Sequence, residues 1–109
     1  MNTKITLNIG LGFDKQQQPL DPQRVNEAEA LLRDCATRLA GGGTLWRATG
    51  AWRQSPGSPV VLEPVLVLEV VVEAGGAEAI AREISDLARL SLDQACVAVT
   101  LQPVTFLFL

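Results

Sequence analysis

TLWRATGAWRQSPGSPVVLEPVLVLEVVVE, residues 44–73, decides the fold. It reads as two strands, 44–54 and 60–73, joined by the turn-rich QSPGSP. Within the first strand Trp46 and Trp52 are six apart and so share a face, while Arg47 and Arg53 share the other. The second strand divides in the same way. Leu62, Leu66, Leu68, Val70 and Val72 lie on one side, and Glu63, Val65, Val67, Glu69, Val71 and Glu73 on the other. One antiparallel register sets Arg53 opposite Glu63 and Arg47 opposite Glu69. It also places Trp46 opposite Val70 and Ala48 opposite Leu68, which expects the tryptophans under the helices and the arginines on the open face. Each charge pair contributes only about 0.2–1 kcal/mol, but a one-residue slip inverts both faces. Pro64 is the weak point, since it cannot donate to a ladder and is a candidate bulge. An arginine pair gripping an anion beside stacked tryptophans is the functional alternative. Parity separates Trp from Arg, and the strand needs no ligand to explain its composition.

Outward from the hairpin, each flank supplies one helix and one strand. Upstream, Ile5, Leu7, Ile9, Leu11 and Phe13 alternate with polar or small residues, as in a strand with one buried face. Asp21 and Pro22 form a helix start, and Val25, Ala28, Leu32, Cys35 and Leu39 recur at steps of three and four. The spacing predicts a helix over 22–40, ended by Gly41, Gly42 and Gly43. Downstream, a second helix is expected over 77–92, with Ala77, Ile80, Ile84 and Leu87 facing the core. A last strand runs through Val97, Val99 and Leu101 and is interrupted at Pro103.

The order is strand, helix, strand, strand, helix, strand, for which the simplest packing is α+β: a four-stranded antiparallel sheet with both helices on one face. Over the whole chain this resembles the ferredoxin-like βαββαβ fold. The resemblance implies the strand order 4-1-3-2 and a single domain over 1–109. The step Gln94, Ala95, Cys96, Val97 into the last strand is similar to that of small ferredoxin-like proteins. The fold hosts enzymes, regulatory ligand-binding domains and interaction modules alike, so it brings no activity with it.

The 109 residues suit one core, and 48% hydrophobic with 19% charged residues is a globular composition. A net charge of −3 without a basic cluster argues against nucleic acid as the main partner. The alternating start MNTKITLNIGLGF is unlike a signal peptide, and Val65–Val72 is too short to span a bilayer, so a soluble, cytoplasmic protein with no membrane partner is expected. Cys35 and Cys96 are read as small hydrophobes and not as a disulfide.

The chain has no His and no Tyr, which removes the commonest general base and metal ligand. Two distant cysteines make no zinc site, and Gly10-Leu11-Gly12 lacks the pattern of a nucleotide loop. No catalytic residue, metal or cofactor is assigned, and the balance is against an enzyme. The Gly10–Gly12 pair reads as a strand end with a bulge, or else as a place where something approaches the backbone closely.

Val65, Val67 and Val71 make the open sheet face more apolar than a wetted face requires, and Phe106 and Phe108 lie in an apolar C-terminal segment. These five are the candidate interface of a homodimer, in a non-catalytic interaction or binding module. The second reading is a small-molecule sensor or small enzyme. Its pocket would lie on the open face of a dimer, near Asn8, Arg47, Glu69 and Thr100.

Overall fold

The computed structural model describes all residues, 1–109. Its elements are β1 (Asn2–Gly10), α1 (Pro22–Ala40), β2 (Thr44–Trp52), β3 (Val61–Glu73), a short 3₁₀ turn (Ala74–Gly76), α2 (Ala77–Leu92) and β4 (Ala98–Val104). The strands form one antiparallel sheet in the order β2-β3-β1-β4, which is the ferredoxin-like order 4-1-3-2 read from the other edge. No helix is long and apolar enough to cross a membrane.

Local chemistry sets the helix bounds. The Asp21 carboxylate accepts from the Gln23 N–H at 3.1 Å, Pro22 occupies the first turn, and Gly41 closes α1 in the left-handed region at φ 79°. The core forms where the apolar stripes of both helices meet one face of the central strands. Ile5, Leu7 and Ile9 of β1 and Leu66, Leu68 and Val70 of β3 pack with Leu32 of α1 and Ile84 of α2. Two helices cover the two central strands and leave the edges β2 and β4 partly bare, so Val99 and Leu101 remain 39% and 44% exposed beside α2.

The β2–β3 register differs from the charge-pair expectation by three residues, an odd number, so the faces of β2 are exchanged. Trp46 stands opposite Val67, Ala48 opposite Val65, Gly50 opposite Glu63 and Trp52 opposite Val61. The tryptophans therefore lie on the open face and Arg47, opposite Leu66, on the helix side. Leu45, opposite Leu68, joins the core, and burying such a side chain contributes about 1.5–3 kcal/mol in full and outweighs an exposed charge pair. Arg47 finds its carboxylate on α1, not on β3. Pro64 makes no bulge and pairs in register with Thr49. Its carbonyl accepts from Leu11 N at 2.9 Å on the β1 side, so the missing N–H faces that side too, just past the last β1–β3 pair, Gly10 with Val65. The β2–β3 ladder loses nothing.

Candidate functional site

The open face is built from alternate residues of all four strands. The register puts Lys4, Thr6 and Asn8 of β1 beside Val71, Glu69 and Val67 of β3, and beside Gln102, Thr100 and Ala98 of β4. Asn8, Glu69 and Thr100 thus share this face, near Thr6, whose hydroxyl donates to Glu69 Oε2 at 3.4 Å. Lys4 Nζ is 4.0 Å from the same oxygen. Arg47 does not join them.

Instead, Arg47 reaches α1, where its Nε and Nη2 donate to Glu29 Oε1 and Oε2 at 3.3 and 2.7 Å. The hydrogen bond from Arg47 holds the Glu29 carboxyl below its ordinary value of 4.5, against the opposing effect of burial. The same bond raises the Arg47 pKa further. A depressed carboxylate stabilises the fold fully above its unfolded pKa and loses that contribution as pH falls through the folded value. The pair therefore acts down to about pH 4.5 and fades below it, whereas the Arg47 shift matters only in strong alkali. Both side chains are partly in water, so the pair is worth at most about 1 kcal/mol. A double-mutant cycle of Arg47→Ala with Glu29→Ala should show coupling of about 0.5–1 kcal/mol at pH 7, shrinking as the pH falls below about 4.5. The cycle of Arg47→Ala with Glu69→Ala should show none, and coupling there would restore the charge-pair register.

The centre of the open face is apolar. Val67 is only 7% exposed although it stands outside the core cluster under the helices, and Val65 and Val71 are half-buried. Trp46, directly opposite Val67, is 43% exposed. Beyond β4 the tail carries Phe106 and Phe108 at 44% and 93% exposure, with the two rings edge to face at 4.9 Å. A cleft of about 530 Å³ separates them from Gly41, Thr44 and Val71, which brings the tail to one end of the open face.

At the other end of the sheet, Gly10 and Gly12 have a clear role. The Glu63 carboxylate sits against both: its Oε2 accepts from Gly12 N at 3.2 Å, and its oxygens stand 3.0–3.2 Å from where β-carbons would be. The close approach to this backbone is thus made by the chain's own glutamate. Gln94 locks the neighbouring loop by donating to the carbonyls of Phe13 and Leu92 at 2.7 and 3.3 Å. Sequence reasoning assigned Glu63 to Arg53 and so missed this cluster; the signal for it was the glycine pair. Cys35 is buried on α1, and desolvation raises its thiol pKa against the opposing charge of Arg38, which disfavours the thiolate. Cys96 is exposed and free.

Sheet order, helix placement and an uncovered sheet face together define a small ferredoxin-like α+β domain. Solved structures share that fold. A phage SAM lyase in complex with S-methyl-5′-thioadenosine superposes with a TM-score of 0.66 at 11% identity, over 93% of this chain and 80% of that one. The periplasmic divalent cation tolerance protein CutA from Archaeoglobus fulgidus gives 0.60 at 7% identity, over 99% and 88%. A Bacillus cereus protein related to NIF3 gives 0.57 at 13% identity, and the match covers 94% of this chain but 25% of that longer one. No protein-family model and no curated protein matches the chain.

Proposed function

We propose that the chain is a non-catalytic, self-associating binding module whose open sheet face is covered by a second copy of itself. One observation carries this reading: Trp46, Val65 and Val67 form an apolar patch on a face that no helix covers, and past Glu69 on the same face Val71 adjoins Phe106 and Phe108. Contiguous apolar surface on a small domain marks an interaction site more often than a wetted face. A four-stranded sheet about 19 Å wide with strands of 7 to 13 residues offers on the order of 500 Å² of projected area. Side-chain relief and the tail bring that toward the ~800 Å² per partner of a stable dimer. The face also suits a copy of itself, because Lys4 and the carboxylates of Glu69 and Glu73 lie on it together and a two-fold axis can set them opposite each other. Asn8, beside Val67 on the central strand β1, and Thr100 on the edge strand β4 supply polar contacts. The sensor or enzyme reading centred on Asn8, Arg47, Glu69 and Thr100 loses its cation, which is committed to Glu29 behind the sheet.

Sedimentation equilibrium at micromolar concentration should give about twice the 11.7 kDa chain mass. Trp46→Glu is expected to return it to one chain with an unchanged circular dichroism spectrum, because Trp46 already lies half in water in the single chain. Phe108→Ser tests the tail separately and should weaken association less. A wild-type mass of one chain sinks the proposal, and a Trp46→Glu dimer moves the interface elsewhere.

A further inference from the structure

Trp52, Glu63 and Gln94 converge on a cleft of about 140 Å³ at the end of the sheet where β1 stops and β4 begins, with Phe13, Asp14, Lys15 and Cys96 among its other walls. Three polar atoms of these residues are uncommitted. The Trp52 indole N–H is buried and has no acceptor. Glu63 Oε1 is free, because the bond from Gly12 N goes to Oε2. Gln94 Oε1 is free too, while the amide nitrogen spends both its protons on the Phe13 and Leu92 carbonyls. The two free oxygens approach each other over Gly10, 3.1 and 3.3 Å from the point a β-carbon would occupy. A pair of acceptors, one anionic, and one stranded donor thus belong to residues that line the same cleft.

Charge narrows the chemistry. Glu63 and Asp14 contribute two carboxylates, and the cationic Lys15 is held by Asp93 at 3.1 Å. The acceptor side therefore favours a cation with several N–H donors, and the electron-rich rings of Trp52 and Phe13 favour it further. The indole N–H needs an oxygen on the same molecule. At roughly 30 Å³ per water the cleft has the space of four or five waters, which limits the ligand to a few heavy atoms.

We propose that this cleft binds a small primary amine that carries an oxygen acceptor beside its ammonium group, of the amino-alcohol or α-amino-acid class. The ammonium donates to Glu63 Oε1 and Gln94 Oε1, and the ligand oxygen accepts from Trp52 Nε1. Gly10 lets the two acceptor oxygens come together, because a β-carbon there would stand 3.1–3.3 Å from both and push them apart. The site belongs to one chain and does not depend on self-association.

The test follows the two indole N–H signals by proton–nitrogen correlation spectroscopy, with Trp52→Phe to assign them. Ethanolamine and glycine are the probes, and glycolate, equal in size but without an amine, is the control. A saturating shift of the Trp52 signal by either amine, with glycolate inert, is the expected result, in the wild type and in Trp46→Glu alike. Glu63→Gln should weaken binding at least about tenfold, since it replaces a charge-assisted bond by a neutral one. Gly10→Ala should do the same while keeping every charge, and it carries the test if Glu63→Gln unfolds. A shift that never saturates overturns the proposal. So does an equal response to glycolate, or full affinity in Gly10→Ala.

Discussion

Leu68→Ala should lower the free energy of unfolding by about 2–5 kcal/mol, a large part of the 5–15 kcal/mol that a domain of this size commands. Leu68 is fully buried on the central strand β3, with Leu7 opposite it on β1 and Leu45 on β2, all facing the helix layer. Truncation there opens a cavity whose walls are held by three strands and cannot collapse. Its sequence neighbour Val67 is almost as buried, yet it points to the other face and lies outside that cluster. Val67→Ala should cost about 1–2 kcal/mol, little more than the transfer of the lost methyl groups, because Trp46 can settle into the space. Urea denaturation of both variants at one protein concentration measures the difference. Equal costs would mean that the two faces of β3 are not inside and outside as described.

That contrast also explains how much of the molecule could be read from the chain alone. The bounds of α1 were legible because its signals are local: Asp21, Pro22 and Gly41 act on backbone groups a few residues away. Strand order was legible because a hairpin between two crossovers leaves few packings. The β2–β3 register was not. Periodicity shows that Trp46 and Arg47 face apart, but not which of them faces the helices, because β2 is an edge strand that α1 covers only in part. Two charge pairs suggested one answer, and the burial of Leu45 together with an acceptor on α1 decided another. Glu29 lies far from Arg47 in sequence, and no pattern within the hairpin points to it. The open face was legible for β1, β3 and β4, whose alternation is strong, so Val65, Val67 and Val71 were placed where they stand. The Glu63, Gln94 and Trp52 cleft was hidden, because its three members come from three separate segments that only the three-dimensional fold brings together.

Gly50→Ala is the sharpest test of that register, because it should act opposite to the usual sign. Glycine within a strand normally destabilises by roughly 0.5–1 kcal/mol relative to alanine. Here a β-carbon on Gly50 would stand 2.6 Å from Val65 Cγ2, a distance that requires Val65 or the edge strand to move. Overpacking of this kind costs about 1–3 kcal/mol, so Gly50→Ala is expected to destabilise. Removing the obstacle should restore the ordinary sign. In a Val65→Ala background the remaining neighbours are the Glu63 carbonyl oxygen at 3.8 Å and the Val65 β-carbon at 4.0 Å, both in easy contact. There the same substitution should stabilise by about 0.5–1 kcal/mol, giving a coupling of about 2 kcal/mol in the thermodynamic cycle. The charge-pair register makes a different forecast. It places Gly50 opposite Leu66 under the helices, on the face away from Val65, and Gly50→Ala would then be indifferent to Val65→Ala. Chemical denaturation of the four proteins distinguishes the two, because a clash removed by deleting its partner is a property of one pairing only.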